Sequence, residues 1–343
     1  MKRLLNTLFI TSPDTYLALE GENILVRKEE TIIGRVPLHN LEAVCTFGYT
    51  GASPALMGAC AKRNIAISFM TMNGNFLARV TGESRGNVIL RKEQYRISDS
   101  EQRSAEIARN FIIGKLYNQK WILERACRDH ALRVDTIKLK SISAQLSETL
   151  KLLRVVSDLE TLRGLEGNAA VAYNSVFDEL ILQQKEQFYF KGRNKRPPLD
   201  NVNALLSFAY TLLGNDSKAA LESVGLDAYV GFLHRDRPGR ASLALDLMEE
   251  MRGVYADRFV LSLINNRVVN DKGFARKESG AIIMNDETRK KVLSAWQERK
   301  QDKITHPYLG EKISWGLVPY AQALLLARFI RKDLDEYPPF FWK

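Results

Sequence analysis

Ile65-Ala66-Ile67-Ser68-Phe69-Met70 and Phe76-Leu77-Ala78-Arg79-Val80 are two short apolar runs on either side of Asn73-Gly74. Asn and Gly both tolerate positive φ, so the pair predicts a hairpin turn joining two strands. The same texture extends upstream. Leu4 to Ile10, Tyr16 to Leu19, Asn23 to Val26 and Thr31 to Ile33 are further short runs between turn-forming or charged residues, and Gly21-Glu22-Asn23 suits a tight turn. Pro54 to Lys62 reads as one short helix. After Gly82 the pattern changes. Residues 83–98 are polar and basic, and beyond Ser98 the positions Ile107, Phe111, Ile112, Leu116, Trp121 and Leu123 fit a long helix. Proline is absent from Ala105 to Arg196, and helical blocks follow at 200–213, 243–254, 286–300 and 317–334. The expected fold class is α+β. A small N-terminal β-sandwich-like domain covers residues 1–85, a linker 86–98, and a larger all-α domain 99–343.

The chain has 343 residues, long for one core, and the length itself favours two domains. Its 50 Lys+Arg against 40 Asp+Glu leave a formal charge of +10. Such an excess favours a polyanionic partner, although charge alone does not single out nucleic acid. Cys45, Cys60 and Cys127 lie far apart in apolar surroundings, as expected of buried free thiols in a reducing cytoplasm. Met1-Lys2-Arg3 and the run to Ile10 imitate a signal peptide, but Asn6 and Thr7 interrupt it and no small-residue cleavage site follows. No segment approaches the ~20 apolar residues of a membrane span, so no membrane partner is expected.

Three features carry chemistry. Leu162, Glu166, Ala169, Tyr173, Val176 and Leu180 recur at steps of three and four, so Glu166 interrupts an apolar helical stripe. A buried carboxylate needs a hydrogen bond, a metal or a cation, and Arg163 or an arginine from elsewhere is the plain alternative. Gly164 and Gly167 would let another helix or a phosphate backbone come close. The second feature, His234, follows the apolar Gly231-Phe232-Leu233 and precedes Arg235-Asp236-Arg237-Pro238-Gly239-Arg240, a basic turn. The other histidines, His39, His130 and His306, have no comparable neighbours. The third is the helix from Ser242, its expected N-cap, along which Asp246 and Glu249 share a face with Glu250 and Gly253. Clustered carboxylates raise one another's pKa or recruit a cation, whereas the plain alternative is an exposed acidic face. One imidazole and two or three carboxylates suit Mg²⁺ or Mn²⁺. Such an ion polarises a phosphodiester and helps generate the attacking oxygen. Lys191 to Pro198, with Arg193 and Arg196, and the arginines beside His234 (Arg235, Arg237 and Arg240) are candidates for phosphate contact, or else solvated basic loops. Asp200 is placed to cap the helix that follows. No HExxH, Walker loop, GxGxxG or GxSxG is present.

Leu165-Glu166-Gly167, Arg193 to Asp200 running into Asn203 to Phe208, Gly231 to His234, and Asp246 to Glu250 occur in one order. In that order they resemble the CRISPR-associated adaptation integrases, the Cas-one family, over essentially the whole chain. Pro37 to Leu41 and Pro338-Pro339-Phe340 look like the type I-C branch. The resemblance implies a homodimer whose N-terminal domain serves dimerisation and partner contacts and whose helical domain is catalytic. It also implies a Cas-two dimer as partner, and double-stranded DNA as substrate, both as spacer precursor and as CRISPR leader–repeat. Glu166, His234 and Glu249 would be the metal ligands and catalytic residues. Many members carry Asp at the last position, so the match there is chemical rather than identical, and Asp246 either assists the ion or orients His234. The implied reaction inserts short foreign fragments by attack of a 3′-hydroxyl on a phosphodiester. Arg193, Arg196, Arg235 and Arg237 would hold phosphates, and Tyr173 would stack or hydrogen-bond near a DNA end, or else pack inside. A nuclease that never joins DNA, and a basic scaffold whose carboxylates are merely salt-bridged, are the rival readings.

Overall fold

The computed structural model describes residues 7–10, 12, 14–41, 43–48, 50–71, 76–80, 82 and 88–342. The first six residues, the expected Asn73-Gly74 turn and residues 83–87 lie outside the described residues. The chain divides into two compact units, one of residues 1–85 with 293–303 and 314–317, the other of residues 86–292, 304–313 and 318–343.

In the first unit the strands are β1 (Thr7–Ile10), β2 (Thr15–Glu20), β3 (Asn23–Lys28), β4 (Thr31–Pro37), β5 (Ala43–Phe47) and β6 (Gly51–Ala52). Helix α1 (Pro54–Lys62) and strands β7 (Ala66–Met70) and β8 (Phe76–Val80) complete it. They form two four-stranded sheets, ordered β4-β3-β2-β6 and β1-β5-β7-β8. Strands β2 and β3 pair Glu20 with Asn23 across the expected tight turn, where Gly21 takes φ +56°. Alternation buries Thr15 and Leu17 and exposes Tyr16. Strands β7 and β8 are antiparallel, as the hairpin reading requires, but β1, β5 and β7 run parallel, with α1 as the crossover between β5 and β7. Ser53 caps α1 by accepting Leu56 N–H at 3.2 Å, and Pro54 occupies its first turn. Leu17, Ile24 and Val26 from one sheet, Ile10, Val44 and Ile67 from the other, and Leu56 and Cys60 from α1 share one core. The unit is sandwich-like.

The second unit begins with a correction. The stretch read as a linker is helical from Val88 to Ser98 (α2), burying Leu90, Gln94 and Ile97. Then come α3 (Glu101–Asp129), α4 (Thr136–Leu153), α5 (Leu159–Ser175), α6 (Asn201–Ser223), α7 (Ser242–Met251) and α8 (Arg258–Asn265). Strands β9 (Phe274–Arg276) and β10 (Ile282–Met284) form a small hairpin, so this part is not purely helical. Helix α9 (Asp286–Gln301), strands β11 (Lys303–Thr305) and β12 (Lys312–Ser314), and α10 (Val318–Ile330) follow in the chain; residues 293–303 and 314–317 among them belong to the first unit, which therefore is not confined to the expected residues 1–85. Helix α3 is the spine, packed against α4, α5 and α7, while α6 packs against α7 and α10. Asp200 caps α6 as expected, accepting Asn203 N–H at 2.7 Å. Ser242 is not an N-cap. It is the first residue of α7, and its hydroxyl donates to the Arg235 carbonyl at 3.2 Å. Between α7 and α8 the residues Arg252–Asp257 widen into a π-helix, a distortion common at functional sites.

Glu250 departs from the expected acidic face. Its carboxylate is fully buried and accepts the Phe340 N–H at 2.7 Å, the Gln322 amide at 3.1 Å and the Tyr337 hydroxyl. Burial pushes its carboxyl up to about 7 against those donors. Asn118 ties the same C-terminal segment to α3, donating to the Phe340 carbonyl at 2.7 Å and accepting Trp342 N–H at 2.8 Å. His306 is likewise structural, buried with its Nε2 3.0 Å from Gln322 Oε1.

Candidate active site

Helix α3 supplies Lys115, α5 supplies Glu166, α7 supplies Asp246 and Glu249, and the start of the π-helix supplies Arg252. The loop ahead of α7 supplies His234. These six meet inside the helical unit. The Asp246 side chain is fully buried, and both of its oxygens are taken up. Oδ2 accepts Phe232 N–H at 2.6 Å and Leu233 N–H at 2.9 Å, while Oδ1 accepts His234 N–H at 2.9 Å and lies 2.6 Å from His234 Nδ1. One carboxylate thus wraps the loop and fixes the ring. Gly231 makes the approach feasible, since a Cβ there would lie 2.8 Å from Asp246 Oδ2 and 2.8 Å from Ser242 Cβ. Arg163, from α5, adds a clamp by donating to the Leu233 carbonyl at 2.7 Å. It therefore serves the loop and pairs with Glu160, not with Glu166.

With Nδ1–H donated to Asp246, the lone pair of His234 Nε2 is directed away from it, and Nε2 lies 3.9 Å from Glu249 Oε1. The Glu249 side chain is 3% exposed. Burial opposes its charge, but the Arg252 guanidinium at 2.5 Å and the Lys115 ammonium at 2.8 Å outweigh burial and hold the carboxyl at about 2. Of the two outcomes expected of clustered carboxylates, a raised pKa or a recruited cation, Glu249 shows the second, in Lys115 and Arg252. Glu166 forms an ion pair with the same ammonium. Its stripe is as read, with Leu162, Ala169, Tyr173, Val176 and Leu180 all buried. A Cβ at Gly164 or Gly167 would meet nothing within 4 Å, so no neighbouring helix uses the room they leave.

The donors have the right chemistry for a hard divalent cation. One imidazole nitrogen is oriented by a carboxylate behind it, and two further carboxylates face one cation between them. Glu249 Oε2 is buried and meets only the Lys115 ammonium, at 2.8 Å, so it is open to a metal ion once that ammonium moves away. As placed, no three His, Cys, Asp or Glu side chains among the described residues converge on one ion position. Between Glu166 and Glu249 stands Lys115, and its ammonium is the charge they share. In donor type the residues fit such an ion, with the Lys115 ammonium now standing between two of them.

Lys115 and Arg252 escaped the sequence reading. Lys115 breaks the apolar stripe of α3 between Phe111 and Ile122, the signal that singled out Glu166 on α5; Arg252 stands one turn beyond Glu249. Beyond Arg252 lies a second buried cluster. The guanidinium groups of Arg193 and Arg252 each lie over the Tyr210 ring, 5.2 Å and 5.0 Å from its centroid, and its hydroxyl donates to Asp257 at 2.6 Å. Burial pushes the Asp257 carboxyl up to about 6, against Tyr210, Arg252 and Tyr173. Tyr173 is 2% exposed, packs edge-on against Phe177 and faces Asp257, so it is placed in the core and not at a surface where a DNA end could stack.

The basic candidates divide by exposure. Arg193 is turned inward, donating to Asn203 at 2.6 Å and Ser207 at 3.0 Å, so it braces the loop rather than offering itself to a phosphate. Arg196 and Arg237 are exposed and Arg240 is half-buried. Arg235 is exposed and pairs with Glu160 at 2.9 Å. Burial, together with the nearby Arg252, Arg193, Arg196 and Arg240, lowers the Lys195 ammonium, which marks a cationic patch beside the carboxylates. Among the described residues no helix is long and apolar enough to cross a membrane.

The family model described as CRISPR associated protein Cas1 matches residues 8–298. The chain is 48% identical over 343 residues to CRISPR-associated endonuclease Cas1 1 of Chlorobaculum tepidum, covering all of both proteins. Among solved structures it resembles a casposase bound to integration product, with a TM-score of 0.80 and 23% identity over 99% of this chain and 93% of that one. It also resembles a chain of a Cas6-RT-Cas1–Cas2 complex, with a TM-score of 0.81 and 22% identity, covering 100% of this chain and 36% of that longer one. At such identities the likeness is one of fold. Matched by the family model over most of its length and by a relative at nearly half identity end to end, the chain belongs to the Cas1 family of CRISPR-associated endonucleases.

Proposed function

We propose that this protein is a divalent-metal-dependent DNA endonuclease and integrase of CRISPR adaptation, with Glu166, His234 and Glu249 as metal ligands and Asp246 as the residue that orients His234. The observation that carries the proposal is the Asp246–His234–Glu249 arrangement, an imidazole fixed from behind and directed at a buried, ionised carboxylate. Mg²⁺ or Mn²⁺, bound there, would polarise a phosphodiester and help generate the attacking oxygen. The residues of the chain do the rest. Asp246 keeps the Nδ1 proton of His234, leaving Nε2 as a donor atom. Arg252 and Lys115 keep Glu249 ionised at neutral pH. The cationic patch of Lys195, Arg196 and Arg240, with Arg237 near the His234 loop, draws DNA toward the carboxylates by charge. In the joining reaction a 3′-hydroxyl of the incoming fragment bonds to phosphorus as one phosphodiester P–O bond breaks, so bond number is conserved; water in place of the hydroxyl gives cleavage.

The partners belong to this reading: a homodimer, a Cas2 dimer, and double-stranded DNA as spacer precursor and as leader–repeat. So does the type I-C assignment, which the Pro37 to Leu41 and Pro338 to Phe340 stretches support. Three buried free cysteines suit a reducing cytoplasm. The test is an integration assay with a labelled duplex bearing 3′-hydroxyl ends, a supercoiled CRISPR target, Mn²⁺ and the Cas2 partner of the same locus. Strand-transfer products that vanish in His234→Ala, with DNA binding retained, support the reading. Cleavage without joining reduces it to a nuclease, and activity indifferent to metal and to Glu166→Ala overturns it. The type of the locus encoding the Cas2 partner decides the subtype.

A further inference from the structure

We propose that Lys115 is the resident counter-cation of this site, neutralising Glu166 and Glu249 in the metal-free protein and withdrawing when a divalent ion takes its place. This rests on the metal-site reading above. The side chain of Lys115 is 3% exposed, and its ammonium meets Glu166 and, at 2.8 Å, Glu249. Without a cation between them, the half-buried Glu166 and buried Glu249 carboxylates would repel each other. Lys115 removes that repulsion and holds the two carboxylates together before any metal arrives.

The charge count shows why the ammonium must leave. Glu166 and Glu249 carry two negative charges, and Lys115 and Arg252 two positive ones. The charge of Asp246 is engaged by four donors. With Asp246 included the cluster carries a single net negative charge, so a divalent ion gains little attraction while both cations remain. Arg252 is not the one to move: it is bonded to Glu249 at 2.5 Å and stacked on Tyr210. Lys115 carries its charge at the tip of a flexible four-carbon stem. The Glu166 side chain is 25% exposed, so the ammonium has a way out on that side.

The experiment compares wild-type protein and Lys115→Met, each in EDTA and in saturating Mn²⁺, by thermal unfolding and Mn²⁺ titration calorimetry. In EDTA the variant should unfold at lower temperature than wild type. In Mn²⁺ the deficit should shrink to within about 2 °C, and the variant should bind Mn²⁺ at least about tenfold more tightly. A deficit of equal size in both conditions, Mn²⁺ affinity that is unchanged or weaker, or a variant that fails to fold even with Mn²⁺ present would overturn the proposal. Wild-type crystals grown with and without Mn²⁺ give an independent decision. Lys115 Nζ leaving both carboxylates on ion binding supports the proposal, and Nζ still bonded to both beside a bound ion overturns it. Wild type that binds no Mn²⁺ removes the metal-site reading as well, whereas normal wild-type binding that Lys115→Met leaves unaltered removes the role of Lys115 alone.

Discussion

Asp246→Asn keeps the shape of the side chain and removes one acceptor oxygen. Each carboxylate oxygen faces two donors, Oδ2 the Phe232 and Leu233 N–H groups and Oδ1 the His234 N–H and its ring Nδ1. Whichever way the Asn amide lies, its NH₂ is set against two donors in a site with no solvent access. Hydrogen bonds to a charged acceptor contribute about 1.5–3 kcal/mol each, so an NH₂ set against the Phe232 and Leu233 N–H groups loses two and costs about 3–6 kcal/mol, whereas one facing the ring loses one and costs about 1.5–3 kcal/mol. The chemical consequence depends on the amide orientation. With NH₂ facing the ring, Nδ1 becomes the acceptor and the proton moves to Nε2, the atom that should bind metal. With NH₂ facing the backbone donors, the loop from Gly231 to His234 lifts. Either way Mn²⁺ affinity should fall about 10–100-fold, the usual effect of losing such an orienting group. Urea unfolding in EDTA reads the first quantity and Mn²⁺ titration the second. A stability loss under about 1 kcal/mol with wild-type Mn²⁺ affinity would refute the assignment of Asp246 as the organiser of the loop.

Three further outcomes follow from the geometry. Gly231→Ala places a Cβ 2.8 Å from Asp246 Oδ2 and from Ser242 Cβ, so it should reduce stability and Mn²⁺ binding together; unaltered Mn²⁺ binding on calorimetry would contradict that contact. Asp257→Asn tests a titration whose sign is fixed. The folded carboxyl lies at about 6, above its usual 3.8, so the stability it contributes is present below the lower value and lost as pH rises through the higher one. Relative to Asp257→Asn, wild type should therefore lose on the order of 3 kcal/mol between pH 4 and 7, and parallel stability–pH curves would exclude it. Arg196→Ala with Arg237→Ala should make the salt dependence of DNA binding shallower, by roughly one in the log–log slope for each phosphate no longer neutralised. Arg193→Ala should chiefly destabilise the fold, and the opposite pattern would reverse their roles.

Much of the site could be read from sequence because its signals are local. Glu166 declares itself by breaking an apolar stripe, and Asp200 caps its helix as its position suggests. Lys115 gives the same kind of local signal on α3, but a lone lysine on a helix face does not announce the two carboxylates it pairs with. The role of Glu250 was not legible, and that of Asp246 stood open between assisting the ion and orienting His234, since each depends on which distant segment returns to it. The loop from Gly231 turns back over Asp246, and the C-terminal Tyr337–Phe340 segment closes over Glu250. Periodicity marks a buried carboxylate without naming its partner. Tyr173 shows the converse: its place on the stripe already implied burial, and the structure puts it against Phe177 and Asp257. In the β unit, short apolar runs reveal strands but not their order. The parallel neighbours β1, β5 and β7 pair through crossovers that no turn motif encodes.

The most direct measurement is the structure of the protein with Mn²⁺, located by its anomalous scattering. Expected is one ion held by Glu166, His234 Nε2 and Glu249, with Asp246 still bonded to His234 Nδ1 and outside the coordination sphere. An ion bound elsewhere, or none within reach of His234 under conditions that support DNA joining, would contradict the assignment of these residues as the catalytic centre.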